Sequence, residues 1–173
     1  MTNNEEKVVA IYEDAKVLAN IAAWSVELQV HRLRADRQEI PDFVMQPVVD
    51  FHLLVTVLTR LRKAAEMVAK ISDISDVIRQ FDDSLPDLKS IRNIQEHIDE
   101  YRLGNGRNKK VDPAALLTVV LDHDRLAWLD YELRVDDARR ASASLFQAIV
   151  DNPPPAYVDK VKQFSENHRR NYE

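Results

Sequence analysis

Apolar residues recur at steps of three and four over most of this chain, which is the spacing of one face of an α-helix. The first such segment predicts a long helix from about Glu5 to Asp36, with Asn3 or Asn4 as its N-terminal cap. Its expected inner positions are Val8, Ile11, Ala15, Leu18 and Ala22, followed by the apolar residues Trp24, Val26 and Leu28.

The second apolar segment predicts the central helix of the fold. Pro41 and Pro47 bracket a short linker, and the helix follows from about Pro47 to Ile71. Its expected buried stripe consists of Phe51, Leu54, Leu58, Leu61, Ala65 and Val68. Further apolar residues beside this stripe widen it, so we expect this helix to contact several neighbours.

Two more helices are predicted in the middle of the chain. Ser72 and Asp73 can cap a short helix that runs through Phe81. Ser84-Leu85-Pro86 opens another helix, which should continue to Leu103 because Gly104-Asn105-Gly106 follows. The apolar face of this helix is formed by Leu88, Ile91, Ile94, Ile98 and Tyr101.

The pattern changes after this point. Leu116–Leu121 and Leu126–Leu133 are β-prone runs separated by a polar turn, which predicts a β-hairpin. Asp136 or Asp137 then caps a helix through Val150, which ends before a proline-rich segment. We therefore expect an all-α fold, a bundle of four to five main helices with a small β-hairpin near 116–133. One domain should cover 1–155, with 156–173 as a polar tail or short helix.

Composition narrows the classes of function. Two glycines in 173 residues argue against the glycine-rich phosphate loops of nucleotide-binding folds. The absence of cysteine excludes disulfides and thiolate chemistry. A net charge of −5 argues against a broad nucleic-acid binder, although it allows a small phosphate site among Lys89, Arg92, Arg102, Arg107, Lys109 and Lys110.

The same features indicate a location in the cell. No apolar run approaches the length needed to span a membrane, and the N-terminus lacks the basic and apolar regions of a signal peptide. A chain without cysteine also fits a reducing compartment. We expect a cytoplasmic protein that does not bind membranes.

The candidate site lies in the predicted helix around Ile91–Tyr101. Asn93, His97 and Tyr101 are spaced four residues apart and form a polar stripe, and Arg92 is long enough to lean toward it. Histidine titrates near neutrality and can move protons, while arginine stays charged and can hold two phosphate oxygens. Arg92, Asn93 and His97 are therefore candidate catalytic residues for phosphate chemistry that needs no metal or other cofactor.

The segment Arg92-Asn93-Ile94-Gln95-Glu96-His97 resembles the motif of the HEPN superfamily. Many members of that family are compact helical ribonucleases of toxin-antitoxin and defence systems. The resemblance implies that Arg92 and His97 are the catalytic pair, with Asn93 in the polar position beside the arginine. It further implies RNA as substrate, a possible antitoxin partner, and a homodimer whose two motifs share one groove. In one toxin branch a tyrosine follows the histidine by two residues, where this chain has Asp99.

Other interpretations remain open. Arg92, Asn93 and His97 can be solvated surface residues, and Arg92 can pair with Glu96. The protein would then be a catalytically silent helical homodimer acting as a binding or regulatory module. A metal enzyme ranks lower, since paired Glu-x-x-His ligands are missing. The segment Asp122-His123-Asp124 fits a turn better than a metal site. Both tryptophans are expected in the core or in an interface. The other histidines, His52 among them, lack an arginine partner.

Overall fold

The computed structural model describes residues 1–35, 46–122 and 124–170 of the chain. It is mostly helical, with 72% of these described residues in helices. The described ranges form seven α-helices and one three-stranded sheet: α1 (Asn3–Arg34), α2 (Gln46–Val68), α3 (Ser75–Ser84), α4 (Leu88–Glu96), α5 (Ile98–Arg102), β1 (Val119–Asp122), β2 (Arg125–Trp128), β3 (Tyr131–Arg134), α6 (Val135–Asp151) and α7 (Pro155–Arg170). The helical class is thus confirmed, whereas a bundle of four to five main helices is not.

The N-cap of helix α1 lies one residue before the first of its two expected positions. Thr2 is the N-cap: its hydroxyl accepts the Glu5 backbone N–H at 3.3 Å, and the Glu5 carboxylate accepts the Thr2 N–H at 2.7 Å. The prediction of Asn3 or Asn4 as cap was therefore wrong. Ala15 and Ala22 are buried as predicted, but Leu18 is exposed because the inner face runs through Val9, Tyr12, Ala15, Ala19, Ala22, Val26 and Val30.

Helix α2 is the centre of the fold, as its sequence predicts. It packs against α1, α3, α4 and α6, and it also contacts β1. All six residues of the expected stripe are fully buried: Phe51, Leu54, Leu58, Leu61, Ala65 and Val68. Pro47 lies in the first turn of α2, while the linker position Pro41 falls outside the described residues.

The expected motif helix is divided into α4 and α5. His97 leaves the helical conformation, with φ −119° and ψ 28°, and separates the two segments. The prediction of one continuous helix to Leu103 was wrong. Ile94 and Tyr101 are both buried, and residues seven apart share a helix face, so the apolar spacing is uninterrupted across the break.

The β region is a three-stranded antiparallel sheet in the order β1-β2-β3, and not a single hairpin. Val119 pairs with Trp128, which in turn pairs with Tyr131 in β3. The expected second strand is divided by a turn in which Leu129 adopts φ 54°, and its two halves fold back on each other. Trp128 is buried in the core and donates its indole N–H to the Leu116 carbonyl at 3.0 Å.

The last two helices close the core. Helix α6 begins at Val135, and the Asp124 carboxylate from the β1–β2 turn accepts the Asp136 N–H at 2.8 Å. The expected capping by Asp136 or Asp137 was wrong, because a residue distant in sequence supplies that oxygen. The segment after 155 forms helix α7, which packs on α1 through the rings of Tyr12 and Tyr157, 4.7 Å apart.

Candidate functional site

Arg92 and Asn93 lie on α4, and His97 follows its last residue. The apolar side chains Leu88, Ile91 and Ile94 bury one face of this helix against the core. At its start, the Asp87 carboxylate accepts the Glu132 backbone N–H of β3 at 2.9 Å. These contacts orient α4, and they leave Asn93 and His97 exposed on its outer side.

Arg92 is held by its neighbours on the same helix. One of its terminal nitrogens lies 2.6 Å from the Glu96 carboxylate, and the other lies 3.5 Å from the Asn93 amide oxygen. Its Nε is buried and has no hydrogen-bond partner among the described residues. A buried donor without an acceptor is costly, so this nitrogen is an unsatisfied part of the Arg92 guanidinium.

His97 and Asn93 line an open cavity of about 460 Å³ beside α4 and α5, which we call the α4–α5 cavity. The imidazole is about half exposed, and its Nδ1 lies 3.1 Å from the Glu100 carboxylate. The remaining lining residues are Glu100, Tyr101, Arg107 and Asn108. The cationic residue that lines this cavity together with His97 is thus Arg107, one of the basic residues noted around the motif.

A tight loop after α5 brings Arg107 to the α4–α5 cavity. Gly104 has φ 76°, a conformation that favours glycine, and a Cβ at Gly106 would overlap the Tyr101 ring. The Tyr101 hydroxyl accepts the Asn108 backbone N–H at 3.3 Å, and the Asn108 amide donates to the Tyr131 hydroxyl at 3.3 Å. Both glycines of this chain therefore shape the wall of the cavity.

Arg92 faces a second open cavity, between α2 and α4, which we call the α2–α4 cavity. Its volume is about 420 Å³, and it is lined by His52, Thr56, Thr59, Arg60, Lys63, Arg92, Gln95 and Glu96. Three of these side chains are cationic and one is anionic. In the part of the chain that the structure describes, neither Arg60 nor Lys63 has an ion-pair partner. The cavity therefore has an excess of positive charge.

His52 is the residue that sequence reasoning missed. It lines the α2–α4 cavity together with Arg92, although spacing along the chain gives it no arginine partner. Burial lowers the pKa of His52, and a hydrogen bond with Gln95 acts in the opposite direction. The imidazole is therefore neutral at pH 7 and able to accept a proton. Residues 52, 56, 59, 60 and 63 follow helical spacing, and this polar stripe along α2 is visible in the sequence.

The predicted site residues do not converge within one chain. Asn93 and His97 line the α4–α5 cavity, whereas Arg92 lines the α2–α4 cavity on the other side of the helix. The contact between Arg92 and Asn93 connects the two sides. Each cavity has its own histidine and at least one arginine, an arrangement that spacing along one helix does not reveal.

The remaining candidates are less suited to a site. The Asp124 carboxylate accepts a backbone N–H at the start of α6. His123 falls outside the described residues. Within the described ranges, no group of three or more His, Asp or Glu side chains could hold a metal ion. Trp128 is a core residue as expected, whereas Trp24 is 71% exposed. Tyr101 is buried against the loop that follows α5.

Comparison of the chain with family models, curated proteins and solved structures finds no match. No helix in the described part of the chain is long and apolar enough to cross a membrane.

Proposed function

We propose that this protein is a metal-independent endoribonuclease of the HEPN type, with Arg92, Asn93 and His97 in its catalytic site. The observation that supports it best is the pair of open cavities on either side of α4, each combining a histidine with arginine. Cleavage of RNA by its own 2′-hydroxyl needs one proton removed, one proton supplied and a phosphate held. These side chains can perform all three tasks.

Proton transfer is assigned to His97, the histidine of the motif. A neutral histidine takes the proton of the 2′-hydroxyl as its oxygen attacks the adjacent phosphorus. A protonated histidine donates a proton to the departing 5′ oxygen, so the products end in a 2′,3′-cyclic phosphate and a 5′-hydroxyl. The exposed imidazole of His97 lies at the motif and can take part in either transfer, whereas His52 lies in the cavity on the other side of α4 and is assigned no transfer.

Arg92 is assigned to the phosphate. Its guanidinium can pair with two phosphate oxygens, and the buried, unpartnered Nε favours such a ligand. Arg60 and Lys63 in the α2–α4 cavity and Arg107 in the α4–α5 cavity bind neighbouring phosphates of a strand that crosses α4.

Cleavage of single-stranded RNA in EDTA tests this proposal. The variant His97→Ala should lower the rate by about 10²–10⁴-fold, because it removes the proton-transfer group. Arg92→Ala should lower it by about 10²–10³-fold through loss of charge stabilisation. His31→Ala, a change at an exposed histidine on α1, is the matched control and should leave the rate unchanged.

All variants must be purified in parallel, because contaminating nuclease would degrade RNA equally in every sample. Product ends separate the mechanisms: a 2′,3′-cyclic phosphate supports attack by the 2′-hydroxyl, whereas loss of activity in EDTA indicates metal-assisted hydrolysis. Equal degradation by wild type and variants, or none by any of them, would contradict the proposal.

The second candidate is a catalytically silent homodimer acting as a binding or regulatory module. It is favoured by four large apolar side chains that are exposed on one face of α1: Val17, Ile21, Trp24 and Leu28. Under either function we place the protein in the cytoplasm, and under the first we propose a cognate antitoxin as protein partner. Intact RNA together with a stable dimer would favour the second candidate.

A further inference from the structure

The outer face of α1 has an unusually regular pattern. Eight exposed residues follow one another at alternating steps of four and three: Ala10, Asp14, Val17, Ile21, Trp24, Leu28, His31 and Ala35. This spacing is the seam of a coiled coil, in which two helices interlock along one stripe. The opposite face of α1 is buried in the core, so the stripe is a second, separate apolar surface of the same helix.

The middle of this stripe is large, apolar and open to solvent. Val17 is 58% exposed, Ile21 59% and Leu28 55%. Trp24 is 71% exposed. Tryptophan is among the residues that contribute most to binding at protein interfaces, and four aligned apolar side chains are more than the scattered exposed residues of an ordinary surface.

We propose that a second copy of this chain packs antiparallel on this face of α1, about a two-fold axis between Ala22 and Ala23. In this register Ile21 of one protomer meets Trp24 of the other, and Val17 meets Leu28. Ala10 and Ala35, both small, meet at the two ends. Since each pair occurs twice, the stripe is complementary to itself, as an isologous two-fold interface requires.

Charge supports the antiparallel direction. The same register places Asp14 opposite His31 at both ends of the apolar core. Neither side chain has an ion-pair partner in the described ranges, and both are exposed. A parallel pair would instead place Asp14 beside Asp14 and Trp24 beside Trp24. Like charges opposed across an interface are unfavourable, whereas the antiparallel pair joins an acid with a base.

The length of the stripe is sufficient for an interface. Residues 10–35 extend over about 39 Å of helix, roughly the diameter of a small domain. The interface is independent of the proposed ribonuclease activity. It also differs from the HEPN arrangement, in which the two motifs meet, because here the pairing helix is α1, and α1 and α4 each pack against α2.

Oligomeric state tests the proposal directly. Sedimentation or light scattering should show a dimer for the wild type, and Trp24→Asp should raise its dissociation constant by at least about 30-fold, the effect of losing one interface hot spot. Leu103→Asp, at a residue 75% exposed beyond the end of α5, is the matched control and should leave dimerisation unchanged. A wild type that remains monomeric at tens of micromolar would overturn the proposal.

Charge exchange tests the register. Asp14→Lys alone and His31→Glu alone should each weaken the dimer, because each places like or unmatched groups together. The double variant should restore dimerisation, since the introduced lysine and the introduced glutamate pair again across the interface. Failure of the double variant to recover, with circular dichroism showing a folded chain, would contradict this register.

Crosslinking tests the direction, and the absence of native cysteine makes it specific. Ala10→Cys protein mixed with Ala35→Cys protein should form a mixed disulfide on oxidation. Each variant alone should not crosslink, because positions 10 and 35 lie about 37 Å apart along one helix. Efficient crosslinking of Ala10→Cys protein alone would indicate parallel pairing and would reject the antiparallel dimer.

Discussion

The imidazole of His52 lies edge-on to the indole of Trp128, with ring centroids 5.7 Å apart and an interplanar angle of 73°. Trp128 is buried and anchored by its hydrogen bond to the Leu116 carbonyl. The small sheet thus supports the His52 side chain of helix α2. Because this contact helps to exclude water from His52, the sheet contributes to a neutral histidine in the α2–α4 cavity.

The lowered pKa of His52 should make stability depend on pH. The unfolded chain binds a proton at the ordinary pKa of 6.5, while the folded chain resists it, so the unfolded state binds more protons just below that pH. The free energy of unfolding should therefore decrease as the pH falls through 6.5, and the decrease should level off below the folded pKa. His52→Gln should remove this part of the dependence, measured by urea unfolding at several pH values.

The control is His168→Gln, a change at an exposed histidine on α7. It should keep the wild-type slope. Nuclear magnetic resonance titration of His52 gives an independent measurement, and a midpoint at or above the ordinary histidine value of 6.5 would contradict the prediction.

Gly106→Ala should destabilise the protein by about 1–3 kcal/mol, since the added Cβ overlaps the Tyr101 ring and either the ring or the loop must move. Thermal or urea unfolding measures this loss. The penalty should shrink in a Tyr101→Ala background, where the ring is gone and the two effects are coupled. Equal penalties in both backgrounds would show that the ring is not the cause.

The ion pair between α2 and α3 should be sensitive to salt. The Arg62 guanidinium holds the Asp82 carboxylate through two bonds of 2.6 and 2.7 Å, with both side chains partly exposed. Asp82→Asn should lower the free energy of unfolding by about 0.5–1 kcal/mol, and by less at high salt, because solvent screens the pair. Asp83→Asn, the neighbouring change, should have no comparable effect in the same denaturation experiment.

Tyr12 joins α1 to the end of α6. Its buried hydroxyl donates to the Ile149 carbonyl at 3.0 Å. Tyr12→Phe should cost about 0.5–1.5 kcal/mol, because the carbonyl loses its donor while the ring packing is retained. Tyr157→Phe is the matched control, since in the described part of the chain its hydroxyl makes no hydrogen bond. A similar loss in both variants would show that the hydrogen bond to the Ile149 carbonyl is not the cause.

Helix positions were predictable wherever periodicity and burial agree. The buried stripe of α2 was predicted correctly because its apolar residues form one helix face, and that whole face is buried in the core. In α1 the same reasoning failed at Leu18, which is exposed. That helix has apolar residues on two faces, and the sequence does not show which of them meets α2.

Three ends of helices and strands were not predicted from the sequence, each for a different physical reason. The Asp124 carboxylate, in a turn between two strands, accepts a backbone N–H at the start of α6, so no residue near that helix indicates where the helix begins. The break at His97 is hidden because the apolar spacing continues on both sides. A third strand was missed because Leu129 adopts a turn conformation within a run that reads as one strand.

The sequence by itself determined a helical protein and the location of Arg92, Asn93 and His97 on one segment of it, since both follow from local spacing. Only the tertiary structure decided which side chains share a cavity. His52 shares a cavity with Arg92 because α2 packs against α4, and Arg107 shares one with His97 because two glycines and Tyr101 fold the loop back. Such proximity depends on packing between elements distant along the chain, and spacing within one helix contains no information about it.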